Sequence, residues 1–342
     1  MGKRKSLLSL LCAIISIFSV VGCSPSNDNQ TSDNSSHTES SEEIKESEGL
    51  EYELSSDKTY YIVKGIGTCT DTKLVIPETY ENLPVKEIFG SSTYSLGAFY
   101  LTEQITSVVL SDNITSIGKN AFVACPNLEK IVIGKNVASI GENAFRLCSR
   151  LVSIEIPVEN PYYKIVDGNL YTKDGKCLVQ YALGKQDETF VIPAEVNVIG
   201  VGAFSGCRSL TQINIHNAVT TIEERAFSSC YNLASIEIPD SVVEIGDGIF
   251  AECGNLKSAV MGRGVSQISR EMFNECDTLQ SVTFSNNVFF IGYHAFSYCS
   301  KLTSITFEGT KEEWEAIEKN DKWRDNSAIT TVECAHETIT LE

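Results

Sequence analysis

Apolar residues recur along this chain on two periods at once. In the stretch Leu233 to Pro239, Ile236 and Ile238 alternate with Ser235 and Glu237, a period of two that predicts a short strand with one buried face. Pro239 lacks the N–H that a ladder needs and ends that strand. Val242 and Ile245 then turn inward, and Gly246 suits a tight bend. The longer period is 23 residues: Phe99, Phe122 and Phe145 keep it, as do Phe204, Phe227, Phe250, Phe273 and Phe296. Cysteines follow three residues later, at Cys125, Cys148, Cys207, Cys230, Cys253, Cys276 and Cys299, and leucines from Leu128 to Leu302 open the units.

One 23-residue unit cannot close a core alone, so the units must stack, each Leu, Ile and Phe on its copy in the next coil, with strands about 4.8 Å apart. The expected fold is a β-rich solenoid of right-handed coils, about eight rungs over residues 97–307. Leu151 to Leu210 is 59 residues, one period plus a 36-residue insertion. That insertion, about 158–186, holds Leu170-Tyr171 and Leu178-Val179 around Lys173-Asp174-Gly175-Lys176, a strong hairpin signal. Because register resumes afterwards, it is expected to bulge from one coil without breaking the stack. Glu223 and Ser269, which replace the bend glycine, read as ordinary drift. Residues 50–96 are apolar but off register and form an atypical N-terminal capping segment. Residues 308–342 form a small helical C-terminal cap, in which Thr310-Lys311-Glu312-Glu313 offers a capping box for a helix through Lys319; Trp314 and Trp323 plug the last coil.

The unit Leu-x-x-Ile-x-Ile-Pro-x-x-Val-x-x-Ile-Gly-x-x-Ala-Phe-x-x-Cys-x-x resembles the BspA-type (Treponema-type) leucine-rich repeat. Asn143-Ala144-Phe145-Arg146-Leu147-Cys148, with Ile140-Gly141 ahead of it, is a close local match, and the resemblance recurs in register from about Gly97 to Phe307. It implies a leucine-rich-repeat solenoid and a bacterial surface protein; some members of the family act as adhesins for host matrix or other cells.

The N-terminus adds an address. Lys3-Arg4-Lys5 and the apolar run Leu7 to Val21 form a signal peptide, too short to span a bilayer comfortably. Val20-Val21-Gly22-Cys23 resembles a bacterial lipobox, so residues 1–22 are the expected leader and Cys23 the lipidated new N-terminus, held on the membrane by two acyl chains. Residues 23–49 carry eight Ser and seven acidic residues after Cys23, with Ile44 as the one aliphatic. That composition cannot bury enough apolar surface to offset its ordering entropy and predicts a disordered tether. The expected location is the exported face of a bacterial membrane.

Net charge is −18, a sign that repels phosphate backbones and disfavours nucleic-acid partners. The column cysteines read as buried thiols acting as small hydrophobes: equivalent positions on neighbouring coils stand about 5 Å apart with parallel Cβ directions, and a disulfide wants Cβ atoms near ~3.8 Å. Pairing among Cys69, Cys177 and Cys334 stays open. His37, His216, His294 and His336 are scattered, and no nucleophile elbow, phosphate loop or metal-ligand spacing is present, so no catalytic residue, metal or cofactor is expected. The outward strand columns, Ser107, Lys130, Ser153, Gln212, Ser235, Ser258, Ser281 and Ser304 beside Val109, Val132, Glu155, Asn214, Glu237, Val260, Thr283 and Thr306, make a flat polar strip without hot-spot residues. Aromatic area instead gathers at Tyr162, Tyr163, Tyr171 and Tyr181 in the insertion and at Trp314 and Trp323 in the cap. These six are the candidate binding surface for an extracellular protein or glycan. The expected function is a non-catalytic surface-binding module; the alternative is a structural or accessory envelope component that pairs with another surface protein.

Overall fold

The computed structural model describes residues 45–91 and 97–341; the leader, Cys23 and most of the tether lie outside the described residues. The chain winds as a solenoid whose first face is a ladder of short parallel strands. Ser235–Ile238, Ser258–Met261 and Ser281–Phe284 pair residue for residue at the 23-residue offset. Ile236, Ala259 and Val282 point inward and are buried, while the Ser and Glu/Val/Thr columns point outward as the alternation demands. A second face carries two-residue strands, such as Thr221–Ile222 beside Glu244–Ile245.

Between the second face and the next coil runs an arc around the phenylalanine. The rings stack on their copies, 5.2 Å apart for Phe204–Phe227 and 5.4 Å for Phe273–Phe296, with interplanar angles of 22° and 11°. From Phe122 onward the arc turns through left-handed backbone two residues before and two after each Phe of the column: Asn120 and Ala124, Arg225 and Ser229, Glu271 and Glu275, His294 and Tyr298 all have φ between 54° and 61°. An L-residue there costs about 1–2 kcal/mol. The conformation persists because it aims the N–H groups at the next coil, as in Arg225 N–H to Asp247 O (2.9 Å) and Ser229 N–H to Ala251 O (2.8 Å). Since only some of these positions are Gly or Asn, the sequence pattern conceals this turn.

The cysteine column has a second task beyond filling space. Six of the seven thiols donate to the carbonyl of the Phe on the preceding coil, Cys125 to Phe99 at 3.0 Å and Cys276 to Phe250 at 3.1 Å; Cys207, whose preceding coil is the septum, meets Ser209 Oγ. The side chain is thus small, apolar and still a donor, a combination that Ala and Val lack. All ten cysteines among the described residues are free, Cys69, Cys177 and Cys334 included.

Both ends differ from expectation. The stack is longer than eight rungs: Lys73–Val75 already pairs in parallel with Ser107–Val109, and Thr331–Glu333 with Ser304–Phe307, so among the described residues the first face holds eleven parallel strands. Ordered structure also begins before residue 50. Ser47 is buried, and it exchanges 3.0 Å bonds with Val75 through its N–H and its Oγ. At the other end the capping box forms at Thr310 and Glu313, but the helix is only Lys311–Ala316. Glu318–Lys319 instead joins the second face beside Phe290–Ile291. The C-terminal cap is therefore more β than helical, because an unpaired strand edge recruits the chain before a second helical turn is complete.

The insertion interrupts the stack. The first-face ladder stops at Ser153–Glu155 and restarts at Thr189–Val191; the second-face ladder stops at Ser139–Ile140. The core accordingly divides in two, one cluster from Leu50 to Leu170 and the other from Tyr171 to Val332.

Candidate functional site at the seam

Three strands fill the break: Tyr163–Val166, Asn169–Thr172 and Cys177–Gln180, an antiparallel meander whose last strand pairs in parallel with Val198–Ile199. Alternation explains its place. Leu170 joins the N-terminal core and Tyr171 the C-terminal one; Leu178 enters the C-terminal core while Val179 packs against the N-terminal one. Both faces of the meander are apolar, so it is a septum between two cores and not a flap on an edge.

Where the ladder stops, side chains satisfy the backbone groups that copies would otherwise meet. Asn160, fully buried, occupies the column of Val137; its Nδ2 donates to Val137 O (2.9 Å) and its Oδ1 accepts from the N–H groups of Tyr162 and Tyr163. Tyr163 Oη accepts from Ile140 N–H at 3.0 Å. Asn169 Oδ1 accepts from Ala182 N–H, and Gln180 Nε2 donates to Tyr181 O and Ala203 O. Tyr181 takes a phenylalanine's part: its ring stacks on Phe204 at 5.1 Å, and its N–H bonds Ala203 O, as Phe204 N–H bonds Ala226 O. The arc keeps one link across the seam through Leu147 N–H to Ser205 O and Arg146 Nε to Ser205 Oγ.

A cleft of about 230 Å³ opens between the last N-terminal coil and the septum. In regular coils the residue at the position of Asn143 bonds the next coil, as Asn120 N–H bonds Glu142 O; Asn143 makes no such bond, and the chains part there. Ile140, Ala144, Phe145 and Val179 line the cleft with apolar surface, and Glu142, Asn143, Tyr163, Gln180 and Glu223 bring polar groups. Glu142 pairs with Lys119. Glu223 Oε2 accepts from Val201 N–H at 3.0 Å. Burial raises the Glu223 carboxyl above its ordinary range, with Glu142 and Glu244 adding to the rise against the Val201 bond. Burial likewise pushes the Cys177 thiol up to about 12, with Glu223 and Asp174 adding, which keeps it protonated and unreactive at neutral pH. Among the described residues, no group of three or more His, Cys, Asp or Glu is placed to hold a metal ion.

The aromatic residues singled out in sequence scatter. Tyr171, Tyr181, Trp314 and Trp323 are core residues, 3%, 0%, 2% and 8% exposed. The two tryptophans pack on each other and on Phe296 and Phe307, so they plug the last coil and offer no platform. Tyr163 is half-buried in the cleft wall, and of the six only Tyr162 is exposed. Cys23 lies outside the described residues. Sequence reasoning missed Gln180 and Asn143, which carry no pattern of their own. Glu223 did leave a signal: it stands where other coils have a glycine, and it is a hydrogen-bonded wall of the cleft and not mere drift.

A family model described as BspA type leucine rich repeat region matches residues 77–168 and 183–310 in six copies, and the chain belongs to that family. The stretch between the two matched segments contains the inner strands of the septum. Among solved structures, the chain is similar to a leucine-rich repeat protein from Eubacterium ventriosum, with a TM-score of 0.57 and 20% identity over 83% of this chain and 94% of that one. It also matches the pneumococcal vaccine antigen PcpA, with a TM-score of 0.44 and 16% identity over 84% and 98% of the two chains. Likeness at this identity is one of fold. No curated protein matches the sequence.

Proposed function

We propose that this chain is a non-catalytic binding protein displayed on a bacterial surface, held to the membrane through a lipidated Cys23, with the seam as its binding place. The observation that carries the reading is the septum: it replaces both ladders over one stretch and leaves a cleft lined by Glu142, Asn143, Gln180 and half-buried Tyr163. Membership of the BspA type family supports surface display, and the leader-like N-terminus supports export. The flat outward columns offer an extended polar strip but no anchor pocket. A protein or glycan ligand would therefore be gripped at the seam and merely accompanied along the strip.

The test is saturable binding of the full chain to a panel of cells, matrix proteins and glycans, compared with a variant in which the aromatic wall of the cleft is removed, Tyr163→Ala. Binding that saturates and weakens in the variant supports the reading. No saturable binding anywhere on the panel overturns it. Palmitate incorporation that survives Cys23→Ala would overturn the anchor separately.

A further inference from the structure

We propose that the N-terminal cap carries a second binding place, an aromatic cleft that takes a neutral pyranose of a β-linked glycan, with a C–H face of the sugar on the rings of Tyr52 and Tyr80. The inference stands apart from the seam and does not depend on it.

This cleft, about 480 Å³, opens between residues 45–50 and the hairpin arm Thr79–Tyr80. The arm pairs with Leu83–Ile88 off the path of the second-face ladder, so it extends no stack. Its effect is to hold an aromatic ring out from the cap. Glu81 and Asn82 form its two-residue turn in left-handed backbone, φ 46° and 64°. Tyr61 Oη fixes that turn by donating to Glu81 Oε2 at 2.7 Å. Tyr80 stacks on Tyr52 at 4.0 Å with an interplanar angle of 15°, and Tyr61 meets Tyr80 edge to face at 4.9 Å. Tyr80 is still 38% exposed, and Leu50 and Pro77 add apolar surface to the same walls. An aromatic slab held in place beforehand loses little freedom on binding.

Hydroxyl groups and charge select the occupant. Tyr60 Oη donates to Glu87 Oε1 at 2.8 Å, and Tyr61 Oη is engaged by Glu81. Tyr52 Oη, by contrast, has no hydrogen-bond partner among the described residues, although its ring is half-buried. Burial, with Tyr80, Glu46 and Cys69 adding, pushes that hydroxyl up to about 12, so it stays protonated and can both donate and accept. Thr79 and Glu46 bring an exposed hydroxyl and an exposed carboxylate to the same walls. Lys45, the cation of these walls, pairs with Glu48 at 3.2 Å, so Glu46 leaves a negative balance that disfavours an anion. An amine gains little, because a charge pair with so exposed a carboxylate is worth little in water. A neutral pyranose meets both halves of the surface: its hydroxyls exchange hydrogen bonds with Tyr52, Thr79 and Glu46, and its C–H face covers the rings. The volume falls within the range of small-ligand sites, roughly 300–1,000 Å³.

The experiment is a titration of the full chain, followed calorimetrically and by NMR of the tyrosine rings. The probes are cellotetraose and N-acetylchitotetraose, both neutral and β-linked, with tetragalacturonate as an anionic sugar and p-cresol as a bare aromatic ring. Expected is saturable binding of at least one neutral tetrasaccharide, with tetragalacturonate and p-cresol about tenfold weaker or worse. Affinity should fall about tenfold in Tyr80→Ala and about fivefold in Tyr52→Phe, which keeps the stack and deletes the hydroxyl. Tyr163→Ala, at the seam, should leave it unchanged. The proposal is overturned if neither neutral tetrasaccharide binds, or if tetragalacturonate or p-cresol binds as well as they do. It is also overturned if affinity survives Tyr80→Ala, or if Tyr163→Ala weakens binding while Tyr52→Phe does not. Should Tyr80→Ala not fold, Tyr52→Phe decides alone, and unchanged affinity there overturns the proposal. None of these failures touches the seam, whose own panel is read through Tyr163→Ala.

Discussion

In the coil from Leu233 to Asn255, Ser235–Ile238 pairs with its copy in the following coil and Glu244–Ile245 with its copy in the preceding one, and the inward side chains stack on residues of their own kind. In the septum from Asn160 to Gln180, the chain has no copy on either side, and Asn160, Tyr163, Asn169 and Gln180 supply the missing hydrogen bonds through side chains. Repetition makes a coil tolerant, because each residue needs only a neighbour like itself. The septum depends on particular residues at particular places.

The largest test of this contrast is at the aromatic column. Tyr181→Ala is expected to cost about 3–5 kcal/mol, as much as Phe227→Ala in a regular coil, because both empty a fully buried ring position. Denaturant midpoints check this. A near-silent Tyr181→Ala would mean that the septum is laid on the stack and is not a layer of it.

Asn160→Ala is expected to cost about 2–4 kcal/mol, since it strands Val137 O and the amides of Tyr162 and Tyr163 without water to replace the side chain. Its column neighbour Val137 is apolar, so an Asn160→Val variant that restored the regular column and left stability unchanged would erase the contrast. A smaller pair of effects has opposite signs at equivalent positions of the arc. Ala124 has φ 56°, and Ala124→Gly should gain up to about 1 kcal/mol as left-handed strain is relieved against the added freedom of the unfolded chain. Gly206→Ala should instead lose about 2 kcal/mol, because at φ 89° its Cβ would stand 2.7 Å from Leu147 Cδ2. Thermal midpoints moving in the same direction for both would contradict the assigned arc.

The smallest effect concerns Glu223. Its carboxyl is raised in the folded state by burial, with Glu142 and Glu244 adding, so ionising it at neutral pH opposes folding. Glu223→Gln should stabilise the protein at pH 7 by less than about 1 kcal/mol, given partial solvent screening. The gain should fade as the pH drops through the raised value toward that of an unfolded carboxylate, where the wild-type group is protonated in both states. Urea melts at pH 7 and pH 4 that show the same difference would place Glu223 outside the field of the cleft.

Much of the solenoid was legible in the chain. The 23-residue spacing of Phe and Cys, the alternation at Ile236 and Ile238 and the capping box at Thr310 each depend on residues close in sequence or on exact repetition, and each appears in the fold as the pattern implies. The left-handed arc was not legible, since Arg225, Glu271 and His294 hold φ values that local preference disfavours and only bonds to the next coil sustain. The seam was legible as an interruption but not as a partition. Leu170-Tyr171 and Leu178-Val179 announce two strands, yet which core each side chain enters depends on what lies above and below. The amino-acid sequence by itself determined the repeat, its inward columns and the place where repetition fails, because a period is a property of one dimension. Only the tertiary structure decided that Tyr181 completes the aromatic column and that Gln180, Asn143 and Glu223, far apart along the chain, share one cleft. Proximity across a stack is set by packing and hydrogen-bond satisfaction between coils, and no single stretch of residues encodes it.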